Sequence, residues 1–259
     1  MMKNKTEVRS KAIAEAVKKS KSLVSSTMEI VLENKMNSLF MVKDKQIDED
    51  RKGLHASAII DSENHFCLRE QILSTLFKRN AAEKQELPVG LLRIFREGEA
   101  IHEKWQRMFR NAGIAVAIED RGYVKSLDLY MTPDAILNIN GNLYVCEIKS
   151  MNTFAFKHLT TTHPKGTKQA QFYMHFTGIP RAFVLCEDKN TQDIKVLACE
   201  YDPEVVRPYL KRLYDVIKYK RKFLSEGKMV KRKCASLGCK RAQECPMSNA
   251  CFGTNRVRI

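Results

Sequence analysis

Tryptophan occurs once in this chain of 259 residues, and no apolar run approaches the length of about 18 residues that a membrane-spanning helix needs. The first residues, Met1-Met2-Lys3-Asn4-Lys5, lead into charged sequence and lack the apolar core of a signal peptide. These two absences predict a cytoplasmic protein with no membrane partner. Internal repeats and low-complexity tracts are missing too, so neither a solenoid nor a disordered tract is expected. Acidic residues are scarce near the end. From Val206 onward only Asp215, Glu226 and Glu244 face 15 lysines and arginines. The last fifth therefore carries about 12 of the net +15 charges, and a surface so basic excludes electrostatic indifference to polyanions. Among the eight cysteines no tight C-x2-C pair occurs, which argues against a four-cysteine zinc knuckle.

A hydrophobic fraction of 44% is ordinary for a globular protein, and the length suffices for one large domain or two small ones. Residues from about Glu7 to Phe40 place apolar side chains at helical spacing, so residues 1–50 form a helical extension ahead of a charged linker. Ser57 is a candidate helix cap. Helices are predicted over 67–79, 91–112, 165–176 and 203–224. In the second of these, Leu91, Phe95, Gly98, His102, Trp105 and Phe109 form a stripe facing the core. Period-two patterning marks strands over 115–119, 123–130, 181–186 and 194–201. Helix, strands, helix, strands, helix predicts an α/β fold with a mixed central sheet. The expected division is an extension over 1–50, a core over 54–226 and a cysteine-rich basic segment over 227–259.

The most informative stretch runs from Asp134 to Lys149. Asn140-Gly141 between two apolar runs predicts a type I′ hairpin, because both turn positions need φ > 0. Facing residues then have numbers that sum to 281, which sets Asp134 opposite Glu147; Lys149 shares the face of Glu147. Two carboxylates with Cβ atoms roughly 4.5–5.5 Å apart repel each other. In a buried strand that repulsion calls for a partner, and a divalent cation is the obvious one. Asp, then Glu-x-Lys, around a metal is an apparatus for cutting phosphodiester bonds. Taken alone, His102 on an apolar stripe is better explained as a packed core histidine.

Cys146, Cys186 and Cys199 lie in predicted strands and are expected in the core. Cys234, Cys239, Cys245 and Cys251 crowd a segment too short and polar to build a core of its own, which needs a staple. Cys67 opens a helix far upstream. The loose spacing suits an iron–sulfur cluster better than zinc.

In order, Cys67, Gly98-x3-His102, Asp134, Glu147-x-Lys149, Gln169-x3-Tyr173 and the late cysteines resemble a RecB-type nuclease of the PD-(D/E)XK superfamily, within its iron–sulfur exonuclease branch. That branch includes CRISPR adaptation nucleases and phage exonucleases, so the location would be a host cytoplasm if the gene is phage-borne. The resemblance covers about Leu54 to Phe252. It implies a restriction-endonuclease-like core in which His102, Asp134, Glu147 and the backbone carbonyl of Ile148 hold Mg2+ or Mn2+. It implies that Lys149 acts on the attacking water, and that Gln169 and Tyr173 meet the DNA strand. It further implies a [4Fe-4S] cluster on Cys67, Cys234, Cys245 and Cys251. Ala242 stands where some branches have another cysteine, which leaves the choice between Cys234 and Cys239 open. The activity implied is metal-dependent exonucleolytic hydrolysis of single-stranded DNA or DNA ends, beside recombination, replication or CRISPR adaptation proteins. A catalytically silent DNA-binding adaptor with the same stapled fold is the alternative, and an RNA-binding zinc protein a third.

Overall fold

The computed structural model of the protein describes residues 33–38, 53–77 and 88–253. The chain falls into two units, Met1–Gln46 with Pro88–Arg93, and Ile47–Leu87 with Ile94–Ile259. In the first, residues 33–38 are helical, and the Arg93 guanidinium donates to the Asn37 side-chain oxygen. The rest of the helical extension expected over 1–50 lies outside the described residues, as do residues 254–259 of the tail.

The second unit is built on a mixed five-stranded sheet of order β2-β5-β6-β7-β8. Its strands are β2 (Ala115–Ile118), β5 (Ala135–Ile139), β6 (Asn142–Met151), β7 (Arg181–Asp188) and β8 (Ile194–Glu200). Only β6 and β7 run parallel; the other neighbours are antiparallel. A three-stranded sheet of order β1-β4-β3 joins β1 (Leu54–His55), β4 (Leu129–Met131) and β3 (Gly122–Val124). The helices are α1 (Ala56–Ile59), α2 (Leu68–Leu76), α3 (Val89–Asn111), α4 (Thr153–His158), α5 (Gly166–Thr177), α6 (Pro203–Glu226), α7 (Lys240–Glu244) and α8 (Ser248–Gly253).

The sheet is covered on both faces, and the alternation along β6 shows how. Cys146 and Ile148 point toward α3, where they pack with Ile101, Phe109, Leu137 and Leu185. Val145 points the other way, with Val184 and Cys186 of β7, into the larger core under α5 and α6. There Phe172, Met174, Leu213 and Val216 meet Ile72 and Leu129. Glu147 and Lys149 share the face of Val145, so the charged pair lies on the α5 side of the most enclosed strand.

Three expectations change. Of the apolar stripe on α3 only Phe109 is buried; Leu91, Gly98, His102 and Trp105 are half-buried and Phe95 is exposed. The strand expected over 123–130 is broken by a 3-10 turn, Lys125–Leu127, closed by Asp128 in the left-handed region at φ 50°. The two halves pair with each other in the small sheet rather than extending the large one. Finally, His55 rather than Ser57 is the residue that precedes α1.

Candidate active site

The hairpin forms with Asn140 and Gly141 at φ 52° and 81°, as a type I′ turn requires. Its register pairs Ile139 with Asn142 and Ala135 with Cys146, and one step further sets Asp134 opposite Glu147. Asp134 immediately precedes β5, and its Oδ2 accepts from the Ile148 backbone N–H at 2.7 Å. Its other oxygen lies 3.5 Å from His102 Nδ1. Gly98, one turn before His102, explains how α3 comes this close: a Cβ there would lie 3.3 Å from Ser150 Oγ on β6.

Glu147 is 1% exposed. Its Oε1 accepts from Lys149 Nζ, while its Oε2 is buried without a hydrogen-bond partner. Burial first, and the Asp134 charge second, push its pKa up to about 7 against the pull of Lys149. For His102, burial favours the neutral ring, but the hydrogen bond and charge of Asp134 outweigh it and raise the pKa. Two carboxylates, one imidazole and one ammonium thus meet at one place, His102 coming from α3 and Glu147 and Lys149 from the α5 side of β6. Among the described residues no three His, Cys, Asp or Glu side chains are grouped tightly enough to close on one ion as placed. In this conformer Glu147 is turned to Lys149.

On the face of β6 that carries Glu147 and Lys149, α5 brings Gln169 and Tyr173 to the same region, both buried. Burial first, then the charges of Glu147 and Asp134, raise the Tyr173 phenol well above its ordinary value. Gln169 Oε1 is another buried oxygen without a hydrogen-bond partner. Gly166 is needed at the start of α5, since a Cβ there would stand 2.8 Å from Val184 Cγ1 and 3.3 Å from Lys149 Cγ.

The structure also shows supports that the sequence did not reveal. Glu187 on β7 is buried and accepts from Lys104 Nζ and Trp105 Nε1, fixing α3 just after His102. Nothing in a strand ending Cys186-Glu187-Asp188 distinguishes it from an ordinary solvated strand end. His163 Nδ1 accepts from the Gly166 N–H at 2.9 Å. Burial, then the Lys149 charge, lowers its pKa, so a neutral acceptor holds the start of α5.

The cysteines separate as expected between strands and tail. Cys146 and Cys186 are buried and Cys199 half-buried. Cys67, immediately before α2, lines one small cavity with Cys234, Cys245 and Cys251; Glu70, Arg241 and Phe252 also line it. Cys239 is not in that lining but lies beside Cys234, hydrogen-bonded to it. Burial pushes the Cys245 thiol up to about 12, with Glu70, Cys67 and Cys251 adding to the effect. The buried Arg69 guanidinium donates to the carbonyls of Val230 at 2.7 Å and Cys251 at 2.9 Å. Lys233 donates to Glu63 O and Phe66 O, and Arg241 to Asn64 O and His65 O.

No protein-family model matches the chain, and no curated protein does. Among solved structures, an alkaline exonuclease from Laribacter hongkongensis is 16% identical, with a TM-score of 0.48 over 68% of this chain and 92% of that one. The same enzyme has been crystallised with dAMP. A phage-related exonuclease from Haemophilus somnus is 13% identical, with a TM-score of 0.45 over 74% of this chain and 100% of that one. Likeness at this distance carries no functional argument, which rests instead on the side chains. No helix among the described residues is long and apolar enough to cross a membrane.

Proposed function

We propose that the protein is a metal-dependent deoxyribonuclease of the RecB-type PD-(D/E)XK kind, an exonuclease on single-stranded DNA or DNA ends. The observation that carries this reading is Glu147. A carboxylate 1% exposed, with one oxygen lacking a hydrogen bond and a second carboxylate opposite, is costly unless a cation joins it. The residues fit such an ion. Asp134 and Glu147 offer hard oxygens and His102 a ring nitrogen, and the Ile148 carbonyl completes the expected set. Mg2+ or Mn2+ bound there would supply Lewis acidity and lower the pKa of a ligated water. Lys149, held on the same face by Glu147, orients the attacking water and neutralises charge at the phosphorus. Asp134 fixes the Ile148 peptide through its accepted N–H. Gln169 and Tyr173 hold the strand beside the carboxylates.

A [4Fe-4S] cluster on Cys67, Cys234, Cys245 and Cys251 belongs to the same proposal. Its support is the shared cavity of those four sulfurs, which favours Cys234 over Cys239. Four cysteines lining one void, Cys67 buried and the other three half-buried, suit a thiolate-ligated cluster, which would join the ends of the domain. Partners in recombination, replication or CRISPR-type adaptation follow from the resemblance, and a location in the cytoplasm, a host's if the gene is phage-borne, is proposed with them. The domain division at 54–226 and 227–259 stands with them.

The test is degradation of end-labelled single- and double-stranded DNA with Mg2+, Mn2+ or chelator. Cutting should need metal and vanish in Glu147→Ala and in Asp134→Ala. Cutting by Glu147→Ala at the wild-type rate would end the reading.

A further inference from the structure

The end of β7 grips a helix on each face of the sheet. Glu187 lies two residues beyond Leu185 and shares the face that packs on α3; Asp188 takes the opposite face. Toward α3, Glu187 accepts from Lys104 Nζ and Trp105 Nε1. Lys189 Nζ donates to the Ile94 carbonyl of the same helix at 3.2 Å. Ser150 stands beside Glu187 in the register of β6 with β7, and Gly98 lies close against its hydroxyl. On the other face, Asp188 accepts from Thr153 Oγ1 at 2.9 Å and so holds the start of α4.

These contacts bracket His102: Ile94 and Gly98 come before it, Lys104 and Trp105 after it. Apolar packing alone would not fix this stretch of α3 along its axis. Ile101 and Phe109 meet Leu137, Ile148 and Leu185 through contacts that have no direction. One residue of slip moves a helix by about 1.5 Å. Such a slip would carry His102 Nδ1 away from Asp134, from which it stands 3.5 Å. Hydrogen bonds to a carboxylate do have direction, and Glu187 offers two oxygens to two successive residues. Stability is a poor explanation for that carboxylate, since a buried ion pair costs about as much to desolvate as it returns. What it adds to apolar packing is a fixed register.

We propose that Glu187 is a positioning residue for His102, holding α3 at the one axial setting from which the imidazole reaches a cation on Asp134 and Glu147. The proposal rests on the metal-site reading above. Glu187 acts through the helix and touches neither ion nor substrate. Asp188, as deeply buried and next in sequence, has no such role because it faces α4.

The experiment is Mn2+ binding to the full chain, read from the free-ion signal in electron paramagnetic resonance, with no DNA present. Glu187→Ala should bind Mn2+ at least about tenfold more weakly than wild type. Glu187→Gln, which can still accept from Trp105, should lose less. In a His102→Ala background, adding Glu187→Ala should cost nothing further, because the helix then carries no ligand to misplace. A second tenfold loss in that background overturns the proposal. Asp188→Ala should lower the melting temperature and leave Mn2+ affinity unchanged. Weakening as large in Asp188→Ala as in Glu187→Ala would mean general loosening of β7, which also overturns it. If His102→Ala binds no measurable Mn2+, the Asp188 comparison decides; if Glu187→Ala does not fold, Glu187→Gln takes its place. A wild type that binds no Mn2+ removes the metal reading and the positioning together. Equal binding by wild type and Glu187→Ala removes the positioning alone.

Discussion

Glu147 sets stability against function. Its oxygens are buried, one has no hydrogen bond, and Asp134 stands across the hairpin. In the metal-free fold its pKa is about 7, above the ordinary 4.5. A raised pKa means that the folded state binds this proton more tightly than the unfolded chain does. The carboxylate therefore costs no stability below about pH 4.5, an increasing amount up to about pH 7, and its full cost above that. Glu147→Gln should accordingly stabilise the metal-free protein at pH 8, by up to about 3 kcal/mol, and the gain should fade by pH 4.5. Thermal unfolding in chelator measures it. The same variant should not cut DNA, and Mn2+ should raise the melting temperature of the wild type but not of the variant. Equal destabilisation at both pH values would show instead that Glu147 serves mainly as the ion-pair partner of Lys149. Lys149→Ala makes a complementary case. It should keep DNA binding while kcat falls by several orders of magnitude, because the ammonium acts chiefly in the transition state.

The hairpin that carries these groups was legible because its signals are local. Asn140-Gly141 fixes the turn, the turn fixes the register, and period two fixes the faces. The gap in strand 123–130 was not legible, since Asp128 takes its left-handed backbone where it meets Lys220 of α6, 92 positions away. The α3 stripe failed at Phe95 for a related reason: amphipathic spacing says which side is apolar, not how far the sheet extends beneath it. Glu187 gave no signal, because a strand-end carboxylate becomes a buried anchor only when another element supplies its Lys104 and Trp105 donors. The joint between α5 and the sheet offers a test at this scale. Gly166→Ala would drive a methyl to 2.8 Å from Val184 Cγ1 and 3.3 Å from Lys149 Cγ. Overpacking of this kind costs about 1–3 kcal/mol. His163 Nδ1 would stand 3.2 Å from the same methyl, and because Lys149 is one of the three neighbours, kcat should drop along with stability. Adding Val184→Ala to make room should recover much of the melting temperature. No recovery would mean that the strain lies in the helix start rather than against the sheet.

Across the molecule, the net charge of +15 and the late cysteines act through one region. The loop before Cys67 offers its carbonyls to cations from far along the chain: Arg212 to Ile59 and Asp61, Lys233 to Glu63 and Phe66, Arg241 to Asn64 and His65. Arg232 lies 4.6 Å over the Phe252 ring. The basic residues next to Cys234 are thus partly structural. Lys218, Arg221, Lys222 and Lys231 are exposed. The two groups should separate experimentally. Replacing Lys218, Arg221 and Lys222 with Gln should weaken single-strand binding similarly across sequences. It should also flatten the slope of log affinity against log salt by up to about two units, since each phosphate contact contributes about 0.7. Lys233→Gln should lower the melting temperature, leave the salt slope in place, and loosen the cysteine segment. Under anaerobic purification the protein should contain iron and acid-labile sulfide. Cys67→Ser and Cys234→Ser should lose both, and Cys239→Ser, whose sulfur lies outside the cavity lining, should keep them. Stoichiometric zinc without iron would replace the cluster by a zinc staple, and protein with neither metal would leave the carbonyl clamps to hold the segment. In that case Lys233→Gln should destabilise the chain more than any of the cysteine substitutions.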